Sequence, residues 1–299
     1  MICPQDQDVD GTLCDLRQAL GGRTSGSMKD MPTLAVIPPP PRAYDGVNWE
    51  GLKTLYLREV RRFWKVGTQT LAAPVVTALL YMMVFVVAVG PNRRLVEGVS
   101  FGTFIVPGLV MMQILGNAFS NSSSSLLQAK MNGLIGDFLT PPLSPMEQVA
   151  GFALGAATRG IAVGAVAAAA VLFFAPVQIV HLWAILYFGL GASLIMGLLG
   201  IVAAIWSEKF DHIAAVTNFV IMPMTFLSGT FYLVEGLPEP FKTISHFNPF
   251  FYLIDGFRYG FIGSADGSIG VGVAMTAVLI LALTAVCWRM FATGYKLKT

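Results

Sequence analysis

Residues 182–206 read LWAILYFGLGASLIMGLLGIVAAIW, and this stretch decides the fold. It holds no Asp, Glu, Lys or Arg. As a helix rising about 1.5 Å per residue it is longer than the ~30 Å hydrocarbon core of a bilayer. Outward from it, five more apolar runs cover 69–90, 101–123, 149–174, 213–233 and 269–291. The expectation is an all-α integral membrane protein with six transmembrane helices.

Composition agrees. Of 299 residues, 55% are hydrophobic and only 12% are charged, against roughly 25% charged in an ordinary soluble domain. So few charges cannot cover a soluble surface of this size. Disordered and disulfide-scaffold classes are excluded as well. Cys3, Cys14 and Cys287 form no CxxC pair and no Cys/His cluster, so neither a disulfide framework nor a zinc site is expected. A net charge of +2 gives no footprint for nucleic acid.

The polar residues divide the chain into three parts. Residues 1–46, with Gly21-Gly22 and the run Pro38 to Pro41, read as a flexible cytoplasmic tail. Residues 47–67 read as an amphipathic interface helix. Leu52, Leu55, Tyr56, Val60, Phe63 and Trp64 fall at helical spacing, with Arg58, Arg61, Arg62 and Lys65 opposite. Residues 68–299 hold the spans. With the N-terminus inside, ten Lys/Arg flank the inner span ends and four lie outside. That places both termini in the cytoplasm.

Two connections stand out. After the second run comes KMNGLIGDFLTPPLSPMEQ, residues 130–148. Ser144 is placed to cap a helix that opens with Pro145, and Glu147 sits near its positive end. A short projecting helix and an inert connector are both open here. Residues 234–268 remain apolar and aromatic, and 11 of the 34 aromatics lie between Phe226 and Phe261. Pro238, Pro240 and Pro249 cut this segment into pieces too short to span. Re-entrant outer helices between spans five and six fit, because irregular backbone at membrane depth must be covered by protein or a cavity. Asp255 and Arg258, three apart, are spaced to pair.

The second run carries Gln113, Asn117, Asn121, Ser124 and Gln128 on one face. The fifth carries Asn218, Thr225 and Ser228. These polar groups border either a translocation path or another helix. Arg159 is an intramembrane charge, a functional candidate by type, although snorkelling to the headgroups or a structural pair with Asp137 or Glu208 would also satisfy it.

No GxxxxGK[ST] occurs, so no phosphate-cradling loop is present. No HExxH and no Ser/His/Asp set converges on a loop, so no catalytic, cofactor or metal residue is expected in this chain. A membrane-embedded transferase would have only His246, Asp255 and Arg258 to draw on. A secondary carrier is a third possibility, with transport driven by an ion gradient.

The order of these features resembles the membrane subunit of ATP-binding cassette exporters of the ABC-2 type. The carriers are the basic helix before span one, the loop FLTPPLSPMEQVAG at 138–151, PMTFLSGTFY at 223–232 and FNPFFYLIDGFRYGFIG at 247–263. The resemblance covers about residues 45–299 and is nearest to the bacterial branch whose permease and ATPase are separate chains. It implies a homodimeric permease in the bacterial inner membrane, surrounded by the lipid bilayer, with two separate ABC ATPase subunits that bind ATP and Mg. It implies that Asp137, Phe138, Leu139, Thr140, Pro141, Pro142, Ser144 and Glu147 form the ATPase-coupling element. The interface helix with Arg58, Arg61, Arg62, Phe63, Trp64 and Lys65 would support it. Gln113, Asn117, Asn121, Asn218 and Thr225 would border the translocation path. Phe247, Asn248, Pro249, Phe250, Asp255 and Arg258 would form an outer gate. The transported solute is expected to be amphipathic, lipid-like or a drug, with a polysaccharide or glycolipid as the alternative.

Overall fold

The computed structural model of the chain describes residues 46–88, 95–96, 98–136, 142–173 and 178–297. The tail expected over 1–46 lies outside these residues up to position 45. So do Asp137, Phe138, Leu139, Thr140 and Pro141 of the expected coupling element.

Helix α1 (Trp49–Lys65) starts at the N-cap Asn48, whose side chain accepts from the Gly51 N–H at 2.9 Å. It is followed at once by α2 (Gly67–Ala88). Pro74 lies inside α2 at position eight and is buried. A two-residue hairpin, β1 (Leu95–Val96) and β2 (Val99–Ser100), leads into α3 (Phe101–Met131). Then come α4 (Pro145–Leu172) and α5 (Leu182–Trp206).

The expected fifth span is built differently from the others. It runs as α6 (Phe210–Val216), a π-turn over Thr217–Ile221 and α7 (Met222–Phe226), of seven, five and five residues. Pro223, with no N–H to donate, falls at the start of α7 beside the widened turn. A 3-10 turn at Val234–Gly236, α8 (Phe241–Phe247) and α9 (Pro249–Ile262) follow. The last helix is α10 (Ile269–Thr293).

Among the described residues, five helices are long and apolar enough to cross a membrane: α2 over Gly67–Val86, α3, α4, α5 and α10. The protein is a multi-pass, mainly helical membrane protein. The run at 213–233, expected as a sixth long span, is not among the five, because its continuous helix is short and interrupted.

Helices α3 and α5 form the centre. Phe104, Leu109, Met111 and Leu115 of α3 and Phe188, Ile195, Met196 and Ile201 of α5 are buried. Their backbones approach closely at Gly200, where a Cβ would stand 2.2 Å from Ser122 Oγ and 2.7 Å from the Phe119 carbonyl oxygen. Ser122 uses the proximity to donate to Gly197 O at 2.6 Å. Small residues that let helices touch are the usual means of packing in lipid, where apolar burial gives little drive. Helices α4, α2 and α9 pack around this pair. Helix α10 packs on α5 too, and both α2 and α10 turn apolar side chains outward, including Leu80, Met83, Val278 and Leu281.

Candidate functional site

Where α1 meets α4, two helix starts share one carboxylate. Ser144 caps α4 through the Glu147 N–H, and Glu147 Oε2 accepts from the Ser144 N–H at 2.7 Å. This reciprocal box is the one the Ser-Pro-Met-Glu order announces. The other oxygen, Oε1, accepts from the Asn48 N–H at 2.7 Å. Asn48 Nδ2 in turn donates to the Pro142 carbonyl at 3.2 Å. Glu147 is therefore buried and engaged on both oxygens. It holds the interface helix to the end of the 137–148 connection. The sequence alone marked Ser144 and Glu147 but not Asn48, although Asn before Trp49-Glu50 is an N-cap signature.

Further along, α1 lies on α4 and reaches α3. Leu55, Glu59 and Phe63 form its buried stripe. Arg58, Arg61, Trp64 and Lys65 are exposed. Arg62 departs from that basic face and turns inward. Its Nη2 donates to Asn121 O at 2.6 Å and to Asn121 Oδ1 at 3.1 Å, and Nη1 donates to Ser124 Oγ at 3.2 Å. Glu59 accepts from Ser125 Oγ at 2.7 Å and pairs with Arg62 at 3.4 Å. Sequence reading missed Glu59, because one acidic residue among basic ones looks like an ordinary surface charge. Asn121, expected on a path, is fully buried under Arg62.

One turn away, a cleft of about 470 Å³ opens between α2, α3 and α4. Thr70, Pro74 and Thr77 line it from α2, Gln113 and Asn117 from α3, and Arg159 from α4. Arg159 Nη2 donates to Asn117 Oδ1 over 3.4 Å. Gln113 and Asn117, two of the four Asn/Gln of the expected path, thus meet Arg159 in one place. Glu208, one expected partner for Arg159, pairs instead with Lys296 at 3.9 Å. Asn218 is exposed on the π-turn, and Thr225 is buried and donates to Ile221 O. Neither lines the cleft.

The segment expected as an outer gate is tied to the end of α7. Asn248 caps α9, accepting from Phe250 N at 3.0 Å, and donates to Met224 O at 2.6 Å and Ser228 Oγ at 2.8 Å. Pro249 takes the first helical position, where its missing N–H is no loss. Arg258 donates to Gly229 O and lies over the Phe104 ring, 4.2 Å from its centroid. Asp255 accepts from the Asp266 and Gly267 N–H groups at 2.9 Å each. Asp255 and Arg258 are each committed to holding a loop, and Phe250 is buried beside them. Phe247 is exposed at the break between α8 and α9. His246 packs edge-on to Phe251. Among the described residues, no group of His, Cys, Asp or Glu is arranged to hold a metal ion.

These are the parts of a transport protein: long apolar helices, a polar cleft among them and a basic helix along one edge. The family model of the ABC-2 type transporter matches residues 50–262, and the chain belongs to that family. It is a membrane permease of the ABC transporter class. It is 36% identical over 252 residues to the inner membrane transport permease YadH of Escherichia coli K12, covering 84% of this chain and 98% of the relative. It is also 24% identical over 249 residues to nodulation protein J of Rhizobium leguminosarum bv. viciae, covering 79% and 90%.

Proposed function

We propose that two copies of this permease form the path of an ATP-driven exporter in the bacterial inner membrane. Two separate ABC ATPase subunits bind ATP and Mg and attach from the cytoplasm. The observation that carries this reading is the Asn48–Glu147 link. It joins α1 to the start of α4, so that a push on the 137–141 stretch that leads into α4 would move both helices together. In this reading the 210–226 run is the remaining span, giving six and leaving both termini on the cytoplasmic side. Helices α8 and α9 are re-entrant and act as the outer gate, and Gln113 and Asn117 border the path. The exported solute is amphipathic, because the cleft is polar while the helix face beside it is apolar.

Co-expression with the ABC ATPase encoded beside this chain tests the proposal. A complex of two permeases with two ATPases, hydrolysing ATP faster than the ATPase alone, is the expected result. Transport that persists in ATP-depleted vesicles, with no ATPase co-purifying, would refute it.

A further inference from the structure

We propose that the cleft between α2, α3 and α4 binds the anionic headgroup of an amphiphile, and that Arg159 is the group that recognises it. This rests on the transport reading and names the chemical class of its solute.

The first observation is an under-used guanidinium. The Arg159 side chain makes one long hydrogen bond, 3.4 Å to Asn117 Oδ1. Its Nε is buried without a hydrogen-bond partner, and among the described residues it makes no ion pair. A charge within a membrane helix is expensive unless paired or hydrated. Among the described residues no carboxylate pairs with it, and a cleft opens beside it. A planar fork of five donors suits a phosphate or carboxylate, which it can engage through two parallel hydrogen bonds.

The second observation is the surrounding field. Glu59, which lies beside Gly155 one turn from Arg159 on α4, is directed at Ser125 and Arg62. Arg62 itself sits on Asn121, one helical turn from Asn117 on α3. The stripe Gln113, Asn117 and Asn121 therefore carries two guanidinium groups and one internally used carboxylate. That balance leaves the cleft positive.

The third observation concerns shape. A volume of about 470 Å³ lies within the usual range for small-molecule sites. Thr70 and Thr77 lie three and ten residues into α2, or about 5 and 15 Å of rise from its start. The cleft thus runs from the α1–α2 junction to about half the depth of a ~30 Å core. On α2 the face bearing Ala73 and Thr77 continues to Leu80 and Val84, both exposed. A headgroup in the cleft would place its tail along that apolar face.

The test is titration of the detergent-solubilised full chain with dioleoyl phosphatidic acid, read by native mass spectrometry. One lipid per chain is expected to bind. Arg159→Gln should weaken binding at least tenfold, and Arg159→Lys by a smaller factor. Asn117→Asp supplies an internal counter-ion and should weaken binding as Arg159→Gln does. It carries the test if Arg159→Gln fails to fold. Equal binding by wild type and either variant would overturn the proposal, as would equally tight binding of dioleoyl phosphatidylcholine. Release of the lipid by millimolar inorganic phosphate would overturn the amphiphile and leave a free anion as ligand. No ATPase is present in the assay, so its failure would not touch the ATP-driven reading.

Discussion

Asn48 and Glu147 are joined by a 2.7 Å hydrogen bond across 99 positions of chain, and each is also a capping residue of its own helix. Two helix starts depend on the same few atoms. Loss of the Glu147 carboxylate therefore frays both.

Glu147→Ala removes a capping box and the N–H acceptor for Asn48 together. The expected loss is about 1–3 kcal/mol. At roughly 2–4 °C per kcal/mol for a chain this long, the unfolding midpoint in detergent should fall by several degrees. Asn48→Ala should fall less, because Ser144 and Glu147 still cap α4. An unchanged midpoint for Glu147→Ala, which alone removes the acceptor of the Asn48 N–H, would show that the link contributes nothing.

Charge reversal separates coupling from capping. Asp137→Lys should weaken ATPase binding while leaving the unfolding midpoint unchanged. Glu147→Lys should lower both, since its carboxylate is buried and engaged. Pull-down of the ATPase together with a melting curve reads the two effects. Undiminished transport in both variants would remove this loop from the coupling element.

Glu59→Ala leaves Arg62 half-exposed without its carboxylate. The cost should be about 2 kcal/mol, below the ~3–5 kcal/mol of a fully buried pair, because Arg62 is reached by solvent. A double-mutant cycle with Ser125→Ala should show non-additive losses. Strict additivity would mean that the 2.7 Å contact carries no coupling.

Asn117→Ala and Asn121→Ala should behave differently despite sharing a face. Asn117 opens on the cleft, so its loss should change which solutes are carried at nearly unchanged stability. Asn121 is buried under Arg62, so its loss should lower stability first. Solute profiles and melting curves of the two variants check the split, and identical profiles would place Asn117 outside the path.

Arg258→Met should loosen the turn near Gly229, because the guanidinium both donates to its carbonyl and rests on Phe104. Amide exchange over 227–236 should speed up markedly, with exchange in α3 and α5 unaffected. Phe104→Leu should produce a weaker version of the same change, since a cation–π contact contributes about 0.5–2 kcal/mol. No change in exchange for either variant would refute the brace.

The long helices were legible because their signal is summed over twenty or more residues. The start of α4 was legible because Ser144, Pro145 and Glu147 stand in the order that local capping chemistry requires. Glu59 and the inward turn of Arg62 were not, since which margin of an amphipathic helix is covered depends on α3 and α4, not on α1. The π-turn at Thr217–Ile221 was likewise hidden. One extra residue per turn leaves the apolar character of a run intact and changes only its length and phase. Arg159 was visible as a charge, but its meeting with Gln113 and Asn117 needed the packing of three helices.

That π-turn has a consequence for the surrounding lipid. The helical run 210–226 rises only about 25 Å, whereas neighbouring α5 and α10 have 25 residues each. In the six-span arrangement the bilayer beside the short helix must thin, or its headgroups must sink, to meet the polar ends. Acyl chains there would be compressed and disordered relative to those beside α10. A solute leaving along this side would cross a shallower hydrocarbon layer, so in that arrangement the barrier would fall through a reshaped solvent rather than through side chains alone.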